Sequence, residues 1–216
     1  MVATAKRKKA VHDVVARNRL LASATELFTR KGYAGTTVRE IVAAAGVTKP
    51  VLYYYFRSKE GIYLELMRGG LIRFDTLLGE SVAGEGSATE RLTRLCTRTF
   101  SLFVDHIDVA RVMYAIYYGP PQGAPFIDFD AYHRKFQDAV RRLIREGIRK
   151  GEFEKGNVDD MMWAIIGAVN VANESRLCQP GEAFGRKDLE RVLRIVYRGI
   201  APTGESRKTR EKGGGK

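Results

Sequence analysis

Cysteine and histidine are scarce in this 216-residue chain, and each scarcity closes off a class of function. The 2 cysteines, Cys96 and Cys178, lie far apart with no C-x-x-C spacing, which argues against a redox dithiol or a zinc ribbon. As free thiols they suit a reducing cytoplasm. The 3 histidines, His12, His106 and His133, form no H-E-x-x-H pair. The phosphate loops G-x-x-x-x-G-K-[ST] and G-x-G-x-x-G and the nucleophile elbow G-x-S-x-G are missing too. No carboxylate pair stands out from ordinary helix surface. A helical enzyme therefore has poor support, and neither a metal nor a cofactor is expected. No apolar run reaches the roughly 18 residues of a membrane helix. The N-terminal MVATAKRKKAVHDVVARN lacks the apolar segment and cleavage site of a secretory signal.

Acidic residues are the other deficit: 25 Asp and Glu stand against 37 Lys and Arg, a net charge of +12. The excess is not spread evenly. Residues 1–60 hold 12 basic and 4 acidic residues, 61–202 hold 20 and 19, and 203–216 hold 5 and 2. A basic small unit joined to a near-neutral larger one suggests a polyanion-binding module on a carrier domain. The basic arm 1–12 and the Gly-rich tail 203–216 read as disordered, solvated charge runs. Tyr132–Lys150 is basic and amphipathic enough to raise a membrane-surface role. It includes Asp138 and Glu146, however, and its surroundings are neutral, so a solvated helix face and no membrane partner is the better reading.

The apolar pattern is helical nearly throughout and predicts an all-α chain of about nine helices. Leu20, Leu21, Ala24, Leu27 and Phe28 follow the i, i+3, i+4, i+7 rule up to Gly32. Thr37 and Glu40 form a capping box for a short helix ended by Gly46; Ser87 and Glu90 form a second box farther on. Thr48 is a candidate N-cap for a third helix with Pro50 in its first turn, and Ser58 for a fourth, interrupted by Gly69-Gly70. The loop GPPQGAP precedes a long amphipathic helix from Phe129 to about Gly151. A nearly all-apolar helix near 158–176 and an amphipathic one near 187–199 close the chain.

Three short helices within about 40 residues, the last two joined by Ala-Ala-Gly-Val-Thr, have helix-turn-helix proportions. The third would be the reading helix. Leu52 and Phe56 point inward, whereas Lys49, Pro50, Tyr53 and Tyr54 share the outer face. Lysine can neutralise phosphate or donate to a guanine edge, and a tyrosine hydroxyl can donate to phosphate. The competing reading, that the tyrosines complete a small core, is weakened because Leu52 and Phe56 already fill the inward stripe. Tyr55 sits at the boundary.

The stretch KGYAGTTVREIVAAAGVTKPVLYYYFRSKEGIYLELM resembles the DNA-binding domain of the tetracycline-repressor (TetR) family of bacterial transcriptional regulators. The Lys-Gly-Tyr turn, Thr-Thr, Ala-Ala-Gly-Val, Leu-Tyr-Tyr-Tyr-Phe and Ser-Lys-Glu carry the likeness over about residues 17–67. It implies a helix-turn-helix domain over 13–60, an effector-binding and dimerisation domain over 61–202, and a homodimer on a palindromic double-stranded operator. A small-molecule effector would release the repressor, a cytoplasmic protein that is nucleoid-associated when bound. By the same resemblance Thr36 and Thr37 touch the DNA backbone, and Thr48, Lys49, Pro50 and Val51 open the reading helix. Tyr53 and Tyr54 match DNA-contacting aromatics, Tyr55 fills a place often held by histidine, and Lys59 matches a phosphate-contacting lysine. Val38 can at most touch a thymine methyl, with Arg39 beside it reaching for phosphate.

The carrier domain is less legible. Phe74, Phe100, Phe103, Tyr114, Tyr117, Phe126, Phe136 and Trp163 lie on expected inner helices, where core packing accounts for most of them. His106 continues the Leu102/Phe103 face, and Asn170 and Asn173 interrupt an apolar helix. A buried Asn needs partners, which ligand, backbone or a second subunit could supply. The candidate effector residues are thus Phe74, Phe103, His106, Tyr114, Tyr117, Trp163, Asn170 and Asn173. The helices near 158–176 and 187–199 are the dimer candidates, as a four-helix bundle with their symmetry mates.

Overall fold

A computed structural model describes residues 2–179 and 184–202, with side chains from Asp13 onward. Among the described residues there are nine helices and no strand: α1 Val2–Lys31, α2 Val38–Ala45, α3 Lys49–Phe56, α4 Lys59–Ala83, α5 Ala88–Asp105, α6 Ile107–Tyr117, α7 Phe129–Lys150, α8 Val158–Cys178 and α9 Arg186–Gly199. None is long and apolar enough to cross a membrane.

The helix ends follow local chemistry. Thr37 caps α2 in a reciprocal box, its backbone N–H donating to Glu40 Oε2 at 2.9 Å while the Glu40 N–H donates to Thr37 Oγ1 at 3.3 Å. Ser87 and Glu90 repeat the device at the start of α5. Gly46, at φ +64°, ends α2 in a Schellman turn, with its N–H on Ala43 O and that of Val47 on Val42 O. Asp128 and Asn157 cap α7 and α8. The Gly69-Gly70 pair, expected to interrupt the fourth helix, does not: α4 runs unbroken across it. The pair weakens the helix by about 2 kcal/mol, but Ile62, Tyr63 and Met67 before it and Leu77, Leu78 and Ser81 after it are all buried.

The chain divides into two compact units, residues 1–72 with 106–127, and 73–105 with 128–216. This differs from the expected boundary at 60/61 and from a single carrier segment 61–202. The first half of α4 buries Ile62 and Tyr63 and pairs Glu65 with Arg17 of α1, and α6 with its following loop packs on α1. Tertiary contact, not sequence continuity, sets the border. The expected arm 1–12 also differs, because α1 is helical from Val2; the segment has neither Gly nor Pro to stop a helix. The tail 203–216 lies outside the described residues.

The first unit has a small core of Leu20, Ala24, Leu27 and Phe28 from α1, Ile41 and Val42 from α2, and Leu52 and Phe56 from α3. The second has a larger one, built from Leu92, Leu95 and Phe100 of α5, Val140, Leu143 and Ile144 of α7, Met162 and Ile165 of α8, and Leu189 and Leu193 of α9. Arg91, buried in that unit, pairs with Glu146 at 2.7 Å and donates to Val82 O. Glu152 accepts from the free N–H groups of Ala88 and Thr89 at the start of α5, each at 2.8 Å.

Candidate nucleic-acid interface

The α2–α3 pair owes its exposed face to the spacing of its apolar residues. Leu52 and Phe56, four apart, are buried and anchor α3; Lys49, Pro50, Tyr53 and Tyr54 are exposed, Tyr54 at 76%. Thr48 takes the N-cap position of α3 without a side-chain cap bond, so its hydroxyl is not used in capping. Pro50 lies in the first turn, where a missing N–H is harmless. Lys49 is a solvent-exposed cation one residue into the helix. Thr37 and Arg39 are exposed at the start of α2, and Val51 is half-buried. Val47, which follows Gly46 in the turn, is half-buried.

Thr36, Thr37, Tyr55 and Lys59, all expected at the DNA, hold structural bonds; the Thr37 hydroxyl and N–H both donate to Glu40 Oε2, at 2.8 and 2.9 Å. Thr36 is 1% exposed, and its hydroxyl donates to Gly32 O at 2.8 Å, closing the turn after α1. Its side chain is therefore unavailable to a DNA backbone. Lys59 Nζ donates to Tyr33 O at 2.9 Å and Thr36 O at 3.0 Å, and lies 4.2 Å from the Tyr33 ring centroid. With two of three N–H groups so engaged, Lys59 first of all ties α4 to the α1–α2 turn. Tyr55 is half-buried; desolvation first, then a hydrogen bond to Asp13 of α1, push its phenol above the ordinary value. The outward tyrosines are thus Tyr53 and Tyr54, with Tyr54 edge-on to Tyr55 at 4.8 Å.

Electrostatics around the turn favour a fixed pose. The Glu40 carboxyl is drawn down to about 2, chiefly by its bond to Lys31 and then by the Thr37 N–H. Glu60 is lowered by Ser58 first, with help from the Tyr33 hydroxyl, which donates to it at 3.2 Å. Two further features escaped sequence reading. Arg57 caps α3 in the left-handed region at φ 64°, a conformation that only the three-dimensional turn reveals. Gly61 lies so close to the Phe56 carbonyl oxygen that a Cβ there would collide with it. The Phe-x-Ser-Lys-Glu-Gly run was the available signal for that second feature.

The eight effector candidates are not gathered in one unit. His106, Tyr114 and Tyr117 belong to the first, all half-buried, with His106 at the N-cap of α6. In the second, Phe74 packs beside Phe136 and Tyr132 at 6.1 and 6.3 Å, and Phe103 is half-buried. Asn173 is buried, and its Oδ1 has no hydrogen-bond partner among the described residues. Trp163 is 57% exposed and Asn170 is exposed, contrary to an inward placement. The interior face of α8 is Met161, Met162, Ile165, Ile166, Val169, Ala172 and Asn173, which leaves Trp163, Asn170 and Val171 on the other side. Phe126 is likewise in a loop and exposed rather than on an inner helix. Cys96 is buried, its thiol pushed up to about 12 by desolvation, and Cys178 is exposed.

The chain is similar to known proteins in both its N-terminal and C-terminal parts. The family model described as "Bacterial regulatory proteins, tetR family" matches residues 20–66, and "Tetracyclin repressor-like, C-terminal domain" matches 85–174. The chain is 31% identical over 144 residues to the HTH-type transcriptional repressor KstR2 of Rhodococcus jostii, covering 63% of this chain and 67% of that protein. It is 29% identical over 189 residues to KstR2 of Mycolicibacterium smegmatis, covering 85% and 90%. The solved ketosteroid transcriptional regulator KstR2 of Mycobacterium tuberculosis superposes with a TM-score of 0.70 at 25% identity, covering 87% of this chain and 95% of that one.

Proposed function

This chain belongs to the TetR family of bacterial regulatory proteins, and from that premise we propose that it works as a homodimeric repressor that a small-molecule effector releases from a palindromic operator. As a family member it is a DNA-binding regulator of transcription and not an enzyme. The observation that carries the finer reading is the α3 surface, with Lys49, Tyr53 and Tyr54 exposed over a buried Leu52/Phe56 anchor. Lys49 and Thr48 approach base edges and phosphate at the start of α3, and the two tyrosines donate to phosphate. Arg39 holds the backbone from the start of α2, where Thr37 gives both its N–H and its hydroxyl to Glu40. The protein acts in the bacterial cytoplasm, on the nucleoid when bound.

Dimerisation through α8 and α9 is supported by their outward faces. Trp163, Val171 and Ile195 are large, apolar and exposed in the isolated chain. Asp160 and Glu174 flank the α8 surface, and Arg191, Arg194 and Arg198 flank that of α9, so α8 of one protomer and α9 of its partner are complementary in charge. Asn170 belongs to this interface. Of the effector candidates Asn173 has the most specific chemistry, since its unpaired buried oxygen suits a ligand that offers an N–H or O–H. Phe74 and Phe103 supply apolar wall. Effector binding shifts the DNA-competent population only through a differential affinity for the two states.

Selection of bound sequences from a random DNA pool by the full chain tests this reading. The expected product is an inverted repeat with half-sites ~10 bp apart or somewhat more. An unordered pool, or a site without two-fold symmetry, contradicts it.

A further inference from the structure

We propose that Gln122, in the loop after α6, is a positioning residue for DNA reading: its side-chain amide holds the turn between α1 and α2, and through it the pose of the reading helices. This inference rests on the exposed face of α3 meeting DNA. Gln122 Oε1 accepts from the Tyr33 backbone N–H at 2.8 Å, and Gln122 Nε2 donates to Ala115 O at 3.2 Å. Ala115 lies in the last turn of α6, where carbonyls lose their in-helix donors, and Tyr33 lies two residues beyond α1. A primary amide presents an acceptor and a donor on one planar group, which is what joining these two helix ends requires. Gly32, at φ +75°, makes room for it, because a Cβ there would stand 2.8 Å from Gln122 Oε1.

Tyr33 passes the constraint on. Its carbonyl holds Lys59 at the start of α4, its hydroxyl holds Glu60, and Lys59 also holds the carbonyl of Thr36, the residue before the N-cap of α2. A second tie, Thr29 Oγ1 to Asp108 O at 3.3 Å, fixes the other end of α6 to α1. All these residues belong to one compact unit. None of them is on the exposed α3 face, so Gln122 acts on DNA binding through the turn alone.

The test uses the full chain as wild type, Gln122→Ala and Gln122→Glu. Hydrogen exchange of the Tyr33 amide is measured beside affinity for the selected operator across a salt series. Gln122→Ala should speed Tyr33 exchange and weaken operator binding by about three- to tenfold, as the population of the reading pose falls with the loss of one or two hydrogen bonds that hold it. The salt slope should stay that of wild type, because no phosphate-pairing cation is removed. Gln122→Glu keeps the acceptor for Tyr33 but sets a carboxylate against Ala115 O, so it should retain Tyr33 protection and lose less affinity. Unchanged operator affinity in folded Gln122→Ala overturns the inference, whether or not its thermal midpoint falls. So does weakened binding with Tyr33 protection intact. A wild-type chain that selects no operator defeats the DNA-reading function itself, a separate outcome.

Discussion

The two units of this molecule are held together by different physics. The first is small and basic, with a modest apolar centre, and polar side chains stitch its short helices at their ends: Lys59 on two carbonyls, Thr36 on Gly32, Glu60 on Tyr33, Gln122 on the turn. The second buries a continuous apolar interior from α5, α7, α8 and α9, with ion pairs such as Arg91–Glu146 and Arg141–Asp159 around it. In helices as short as α2 and α3, of 8 residues each, the orphan N–H and C=O groups at the ends are a large share of the backbone, so caps and ties decide their pose. In a bundle of long helices burial decides. The contrast matters for function, because a surface that reads DNA must be exposed and charged yet fixed in pose.

The largest expected effect lies in the second unit. Leu143→Ala deletes a fully buried side chain and should cost about 2–5 kcal/mol in urea unfolding. The surviving folded protein should keep its operator preference; a change of preference would erase the division between the units. Next comes Lys59→Ala, which should lower stability by about 2 kcal/mol by stranding the Tyr33 and Thr36 carbonyls. A pure phosphate contact would instead leave stability alone and lower the salt slope by about one ion, so calorimetry and a salt series together decide between the roles. Lys49→Ala should do the converse, weakening operator binding by about 1–3 kcal/mol with an unchanged thermal midpoint.

Acid sensitivity gives the smallest effect. The folded-state carboxyls of Glu40 and Glu60 are depressed below the ordinary value, so their contribution is fully present above pH 4.5 and is lost as pH falls toward their folded values, about 2 for Glu40. Glu152 in the second unit behaves alike: burial pushes it up, but the N–H groups of Thr89 and Ala88 pull it further down. Glu40→Gln should therefore flatten the stability curve only below about pH 4.5. Equal flattening at pH 7 would contradict the assignment.

What the sequence made legible was mainly local. The Thr37/Glu40 and Ser87/Glu90 boxes, the Gly46 turn and the inward Leu52/Phe56 pair depend on residues three or four apart, and each stands as its spacing predicts. What stayed hidden depends on distant partners. Nothing near Lys59 announces that it binds the carbonyls of residues 33 and 36, and nothing near Gln122 announces Tyr33. Gly69-Gly70 signals a break that flanking burial overrides. The apolar circumference of α8 reads as interior, yet its own unit covers one side only and leaves Trp163 outward. Composition cannot tell an exposed lysine such as Lys49 from one such as Lys59 that staples a turn.

The central claim is that the exposed tyrosines of α3 supply DNA affinity without supporting the fold. The most direct measurement compares wild type with the double variant Tyr53→Ala, Tyr54→Ala for operator affinity at matched salt, beside thermal unfolding of each. The predicted result is an affinity that falls at least about tenfold, because two phosphate-donating hydroxyls are removed, at an unchanged unfolding midpoint. An unchanged affinity, or an affinity lost only together with the fold, would contradict it.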